Sequence, residues 1–279
     1  MSADNALLTL LTEKLRNNLL VLPTLPEIAV RVRQAAEDPD INLHSMAEVI
    51  ARDPALAARM LKVANSAFLG RSIKVSTLNQ AVTRIGLFQV KNIATAMALE
   101  QLFVSQHPQV REQMSELWRE TIETTCIAMA CLKFYQQSHK HVPLNLDTLT
   151  LAALVYQIGA LPILTEAEKY PAVFAEPAYL RHAIRDLSAS IGVVILQSWG
   201  FADIFIKVTQ DWAGLQTSNE VCYTDFVRLA TIARQQFPRR SNEPQLLEYY
   251  LAQGLIPRVN FMQDPQIAQN YQDAKTMFT

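Results

Sequence analysis

The sequence predicts an all-α protein, and three observations lead to this fold class. The chain of 279 residues has only seven glycines, fewer than a sheet-rich fold with many tight turns would need. Prolines such as Pro26 and Pro54 stand where they suit the first turn of a helix. Half of the residues are hydrophobic, which provides for a large buried core and argues against disorder.

Helix starts and ends in the first part of the chain are marked by prolines, caps and glycines. Pro23 and Pro26 prevent one continuous helix, and Asp38-Pro39-Asp40 stops the next one. Asp53 is a suitable N-cap, and Gly86 is a suitable left-handed helix end. The predicted helices of this part cover approximately residues 5–20, 26–37, 43–52, 54–67, 77–86 and 87–104.

The second part of the chain is also predicted to be helical. Pro108 opens a long helix, and Asp147 begins the apolar stretch LTLAALVYQIGALPIL. The run IGVVIL could also form a buried strand, because runs of β-branched residues are compatible with either a strand or a helix. The segments on both sides of it are predicted to be helical, which favours a helix here as well. Besides the apolar stretch, the predicted helices cover approximately residues 108–137, 188–199 and 202–212, with two or three more within 218–279.

Composition argues against several classes of protein. The formal net charge is −1, so the chain as a whole favours neither nucleic acid nor an anionic membrane. The first 20 residues contain Asp4 and Glu13 and lack the basic start of a signal peptide. No segment has the roughly 20 uninterrupted apolar residues of a membrane span. Three sparse cysteines fit reduced thiols, and we expect a cytoplasmic protein without a metal or cofactor.

Four segments of the first half carry a family resemblance. They are LPTLPEIAVRV, the tripeptide DPD, MAEVIARDPALAARMLKVANSAFLG and VSTLNQAVTRIGLFQVKNIATAMAL. In this order, with Asp53-Pro54, Asn65-Ser66 and Gly86 in place, they resemble the N-terminal half of an HDOD domain. The resemblance implies an all-helical module of bacterial signalling proteins, related to the HD phosphohydrolases. It covers approximately residues 20–214 and is weaker after about residue 105.

The resemblance also predicts the organisation of the chain. We expect an HDOD domain flanked by an N-terminal helix and by a C-terminal helical extension that packs on the domain. Within the domain, an N-terminal helical subdomain precedes a degenerate HD-like subdomain. The predicted boundaries are 1–19 for the first helix, 20–105 and 106–214 for the two subdomains, and 215–279 for the extension.

The HD-like half lacks the side chains with which an HD enzyme would hold a divalent metal and activate a water. By resemblance, Glu120 in WRET stands in a histidine position, and Tyr156 and Gln157 in VYQIG replace a histidine and an aspartate. Ser188 in SASIG replaces a leading histidine, and Asp211 falls where many relatives have paired histidines. Tyrosine and glutamine are poor ligands for a hard metal. The resemblance thus implies a degenerate pocket with no catalytic and no metal-binding residues.

A second candidate site is a local excess of positive charge. Between Ile50 and Leu99 there are seven basic residues and one acid, Asp53, which gives +6 in a chain whose total is −1. Such a region attracts phosphate, nucleic acid or an acidic protein face, although bases scattered over an ordinary surface are an equal alternative. The predicted interaction surface consists of Arg52, Arg59, Lys62, Asn65, Arg71 and Lys74.

These observations favour a non-catalytic regulatory module that acts through protein–protein contact. The expected partner is a receiver-type or cyclic-nucleotide signalling protein. One alternative is a sensor that binds a nucleotide or other small anion in the degenerate pocket. Another is a divergent phosphohydrolase that uses Glu120, Tyr156 and Gln157. Sequence-specific DNA binding is not expected, because the helix after Asp53 has a large apolar face and few base-reading side chains.

Overall fold

The computed structural model describes residues 3–69, 73–170, 176–218 and 220–278, and in these ranges it contains α-helices, short 3₁₀ turns and no strand. The prediction of an all-α fold is confirmed, and the run IGVVIL lies within a helix. The α-helices are α1 (Ala3–Arg16), α2 (Glu27–Glu37), α3 (Leu43–Ala51), α4 (Pro54–Ala64), α5 (Leu78–Ile85), α6 (Leu87–Ala98), α7 (Pro108–Ser138), α8 (Leu146–Val155), α9 (Ala160–Lys169), α10 (Pro177–Ser198), α11 (Asp203–Asp211), α12 (Tyr223–Ala233), α13 (Glu243–Ala252) and α14 (Pro265–Lys275).

Helices α2 to α6 pack against one another, and their starts follow from local chemistry. The side chain of Asn42 caps α3 by accepting two backbone hydrogen bonds. Asp53 caps α4 in the same way, with Pro54 in the first turn. Thr77 and Gln80 form a reciprocal capping box at the start of α5. Helix α6 packs on α2 and on α8, and so joins this part of the fold to the remainder.

The long helix α7 lies at the centre of the second half. It packs against α8, α9, α12 and α14, which come from widely separated parts of the chain. Every residue from Thr124 to Leu132 is buried, so this stretch of α7 is covered on all sides. Cys126 and Cys131 lie in this stretch as free thiols, and burial raises the pKa of both.

The apolar stretch after Asp147 forms two helices. Helix α8 ends at Val155, a turn covers residues 156–159, and α9 begins at Ala160. By length and composition, Leu146–Lys169 could cross a membrane. Most of it is buried inside the protein, which is the environment of a core helix and not of a helix facing lipid.

The helix predicted from Ser188 begins much earlier, and this boundary prediction is wrong. Helix α10 starts at Pro177, which occupies the first turn, and buries Leu180 and Ala183 before it reaches Ser188. The first two turns of α10 carry basic residues on their exposed side, so their apolar face is narrow. For this reason the sequence pattern gives only a weak helix signal before Ser188.

Both ends of the described chain pack on this core. Helix α1 lies on α9 and α10, with Leu7 and Leu11 fully buried. Near the other end, α14 runs along α7, and the Asn270 side chain donates to the backbone carbonyl of Ala130 at 3.4 Å. Tyr271 donates to Glu123 on the same face of α7. The helices after residue 214 therefore belong to the same hydrophobic core as α7.

Candidate functional site

Glu120 lies on α7 at the edge of a cleft, with its side chain 32% exposed. Gln236 Nε2 donates to Glu120 Oε1 at 2.6 Å, and Arg234 Nη2 lies 3.4 Å from the same oxygen. Arg234 Nη1 also donates to the backbone carbonyl of Glu120 at 2.6 Å and to Thr124 Oγ1 at 3.1 Å. The carboxylate is therefore neutralised by a guanidinium group from the segment that follows α12.

Tyr156 lies beneath this cleft and is completely buried. Its ring meets that of Trp212 edge to face, with centroids 5.1 Å apart, and its hydroxyl is 3.5 Å from Thr124 Oγ1. Burial raises the pKa of Tyr156 to about 12. The phenol stays neutral near pH 7, and a neutral buried phenol is a poor ligand for a hard cation.

The other residues that the resemblance places in former ligand positions differ in their surroundings. Gln157 lines the cleft with Glu120, while Ser188 is buried where α10 passes close to Gly159. Asp211 ends α11, and its backbone carbonyl accepts a hydrogen bond from Arg228 Nη2 at 2.7 Å. The fold therefore brings Glu120 and Gln157 to one cleft above Tyr156, whereas Ser188 serves the packing of two helices.

These residues do not fit a resident divalent metal. Glu120 already has a cationic partner, Tyr156 is buried and neutral, and Gln157 carries no charge. Within the residues that the structure describes, no three or more His, Cys, Asp or Glu side chains come together as a metal-binding group. No reaction step that depends on a metal can be assigned to this donor set.

Sequence reasoning missed the arginines that hold this region together. Arg228 is 2% exposed, and its guanidinium donates to the backbone carbonyls of Asp211, Trp212 and Gln216. Arg228 stands within the mostly apolar run DFVRLATIA, and a charged residue in such a run indicates a buried side chain that binds polar groups inside the protein. Arg234, in contrast, follows the end of a helix and gives no local sign of its contact with Glu120.

The cleft itself is a cavity of about 560 Å³ between α7, α10 and the segment after α12. Leu117 and Leu164 contribute apolar walls, and Trp212 and Phe237 contribute aromatic ones. Its polar lining includes Gln157, Arg181, His182, Arg185, Gln236 and Arg240. A cavity that combines apolar walls with several hydrogen-bond donors has the general character of a small-molecule site.

The predicted basic surface divides into engaged and exposed residues. Arg59 forms an ion pair with Glu100 and donates to the backbone carbonyl of Met97 at 2.8 Å. Asn65 binds both the backbone N–H and the carbonyl of Val75 at 2.8 Å, and so closes a loop. Arg71 lies outside the described residues. The side chains that remain exposed are Arg52, Lys62 and Lys74.

Comparison with known proteins gives a consistent assignment of the fold. The family model of the HDOD domain matches residues 22–212. The chain is 40% identical to a Shewanella amazonensis SB2B protein of known structure, described as a proposed metal-dependent phosphohydrolase. That match covers 100% of both chains, with a TM-score of 0.94.

Two more distant proteins also match this chain. An HDOD domain protein with unknown function from Geobacter sulfurreducens has a TM-score of 0.65 at 18% identity, and the match covers 98% of this chain and 99% of that one. An uncharacterized protein of Treponema pallidum (strain Nichols) is 24% identical over 191 residues, which is 68% of this chain. The match spans only 35% of the Treponema protein, about a third of its length.

Proposed function

The chain belongs to the HDOD domain family, and we propose that it is a non-catalytic regulatory module that acts by contact with a protein partner. The contact between Arg234 and Glu120 carries the non-catalytic part of this proposal. A guanidinium supplies positive charge beside the carboxylate, but it cannot bind a water and lower its pKa as a metal ion does. The pocket thus retains the shape of the scaffold, while the contact between Glu120 and Arg234 stabilises the fold.

The name of the Shewanella relative supports a second candidate, a metal-dependent phosphohydrolase. In this chain such chemistry would fall to Glu120, Tyr156 and Gln157. Their surroundings disfavour it, because Glu120 is paired with Arg234 and the phenol of Tyr156 is buried. We therefore rank hydrolysis below the regulatory role.

Metal analysis of the purified protein, combined with a nucleotide and phosphodiester hydrolysis screen, separates these two functions. We expect substoichiometric metal and no turnover above that of the Glu120→Ala variant. Glu112→Ala is the matched control, because Glu112 is an exposed carboxylate on the same helix. Stoichiometric metal together with turnover that is lost in Glu120→Ala and kept in Glu112→Ala would overturn the proposal.

The exposed bases Arg52, Lys62 and Lys74 are the proposed docking surface. Together they favour an acidic face on the partner, such as that of a receiver-type or cyclic-nucleotide signalling protein. They are poorly suited to reading a DNA sequence. Leu56, Met60 and Val63 of α4 point into the core, and the exposed side of this helix is rich in alanine.

A pull-down from the native host at near-native concentration tests this surface. We expect the Lys62→Glu/Lys74→Glu variant to lose a partner that the wild-type protein and the Lys140→Glu variant both recover. Lys140 is an exposed lysine in the HD-like half, so it controls for a general effect of charge. Recovery of the same partner by all three proteins, or of none by the wild type, would argue against this docking surface.

A further inference from the structure

The cavity between α7, α10 and residues 235–240 is lined by several arginines, and the missing metal ligands do not explain them. Arg181 and Arg185 lie four residues apart in the second and third turns of α10, and Arg240 lines the same cavity from the segment after α12. All three line the cavity, and all three are exposed to solvent. Three arginines from two separate elements therefore line one space.

This arrangement is unfavourable for the free protein. Like charges four residues apart on a helix repel each other, and Arg181 and Arg185 have this spacing. An anion bound between the arginines would relieve this repulsion.

Nearby carboxylates offset only part of this charge. Among the described residues Arg181 has no ion-pair partner, while Arg185 Nε lies 3.0 Å from Asp186 Oδ1. The other oxygen of Asp186 lies 3.0 Å from His182 Nε2. Of the acids in the cavity lining, Glu120 is paired with Arg234, and Glu116 is exposed. The cavity therefore retains an excess of guanidinium groups.

The wall of the cavity also holds a donor that the fold leaves unused. Trp212 is 3% exposed, and its indole Nε1 has no hydrogen-bond acceptor among the described residues. Buried polar groups are normally hydrogen-bonded, so an unpaired donor in a pocket wall needs an explanation. The side-chain amides of Gln157 and Gln236 line the same space.

We propose that this cavity binds a phosphorylated small molecule and does not hydrolyse it, with Arg181, Arg185 and Arg240 holding the phosphate groups. Arginine is well suited to this task, because its planar donors match phosphate oxygens in pairs. The cavity of about 560 Å³ lies within the roughly 300–1,000 Å³ of pockets that take small organic ligands. This proposal does not depend on the docking surface at Lys62 and Lys74.

Isothermal titration calorimetry of the full-length protein at low ionic strength tests the proposal, with pyrophosphate, ATP and GTP as probes. We expect at least one probe to bind, and its Kd to rise about tenfold or more in Arg181→Gln/Arg185→Gln and in Arg240→Gln. Arg119→Gln is the control, because Arg119 is exposed on α7 but does not line the cavity. Added salt should weaken binding.

Each outcome is informative. Binding of pyrophosphate and nucleotides alike indicates recognition of the phosphates alone, whereas binding of a nucleotide only indicates that the apolar walls contribute. No binding of any probe by a folded wild-type protein overturns the proposal. So does an unchanged Kd in both arginine variants, or hydrolysis of the bound probe. Because Arg240 lies outside α10, Arg240→Gln keeps the test valid if the double variant does not fold.

Discussion

At the scale of single residues, Glu120 and Tyr156, which the resemblance places in former ligand positions, make contacts within the protein. Glu120 is held by Arg234 and Gln236, and Tyr156 is enclosed by Trp212 and Thr124. A divalent metal leaves positions open for water, whereas a guanidinium group is a fixed cation with its donors directed at protein oxygens. The positive charge beside Glu120 is therefore that of a side chain held in place by the fold.

Replacement of Arg234 by methionine should destabilise the protein. The change removes the hydrogen bonds to the Glu120 carbonyl and to Thr124, and it leaves the carboxylate without its cationic partner. We expect the free energy of unfolding to fall by about 1–3 kcal/mol, measured by urea denaturation. Arg119→Met, at an exposed site on α7, should change it by less than about 0.5 kcal/mol. Equal stability of the two variants would contradict this interpretation of Arg234.

The buried phenol of Tyr156 should make stability depend on alkaline pH. Its pKa is raised to about 12 in the folded protein, against about 10 when exposed, so folding favours the protonated form. This contribution is complete below about pH 10 and is lost as the pH rises from 10 towards 12.

The Tyr156→Phe variant tests this dependence, because phenylalanine keeps the ring and cannot ionise. We expect its free energy of unfolding to fall less steeply than that of the wild-type protein between pH 10 and 12. Tyr179→Phe serves as the control, since Tyr179 lies on α10 and is only partly buried, whereas Tyr156 is completely buried. Parallel curves for Tyr156→Phe and the wild type would show that Tyr156 ionises as easily in the folded protein as in the unfolded one.

At the scale of elements, the turn between α8 and α9 lies directly against α10. A Cβ atom on Gly159 would lie 2.0 Å from the backbone carbonyl oxygen of Ser188 and 2.5 Å from the amide nitrogen of Gly192. Real side chains do not approach a backbone so closely. The contacted atoms of Ser188 and Gly192 belong to the backbone of α10, so they cannot move aside as the end of a side chain could. The position therefore requires glycine because of packing between helices.

Gly159→Ala should consequently be much more damaging than another glycine substitution. We expect a loss of about 3 kcal/mol or more, or failure to fold, because the methyl group would force α10 away from the turn. Gly200 is the matched control, since its φ is +64° but no atom lies within 4 Å of its added Cβ. Gly200→Ala should cost only about 1–2 kcal/mol through backbone strain. Thermal unfolding of both variants measures the difference, and equal losses would exclude the proposed clash.

At the scale of the whole molecule, α7 connects helices α8 and α9 to the helices after residue 214. Helices α12 and α14 cover two sides of α7, and Phe226, Leu229 and Ile267 are fully buried in that contact region. Arg228 reaches back from α12 to cap the end of α11. Because these contacts are apolar and extensive, the helices after residue 214 are expected to fold together with the rest of the protein.

Truncation after Gly214 should therefore remove cooperative folding. The shortened chain would expose the buried face of α7 and remove Arg234 from Glu120, so we expect aggregation or loss of near-UV circular dichroism. Tyr271→Phe in the full-length chain removes one hydroxyl contact with Glu123 and should keep a cooperative transition. A truncated protein with native-like near-UV signal and a single sharp transition would show that residues 215–279 form a separate unit.

Local signals in the sequence were sufficient for much of the fold. Asn42, Asp53 and Thr77 begin helices in the structure, as capping chemistry dictates, because a cap depends on residues only two or three positions away. The predicted helix start at Ser188 was wrong, because α10 begins at Pro177, and proline in the first turn is a local signal that was overlooked. The turn after Val155 packs against α10 at Ser188 and Gly192, and no local pattern reports this contact because it joins residues distant in the sequence.

The sequence by itself determined the all-α class and the resemblance to the HDOD family, and it led to the prediction that Glu120, Tyr156 and Gln157 replace metal ligands. Only the tertiary structure decided that Arg234, 114 residues further along the chain, lies against Glu120. It likewise brought arginines from α10 and from residue 240 into one cavity. The reason is physical: helix caps and periodicity act over a few residues, whereas a pocket is built by helices that meet only when the core packs.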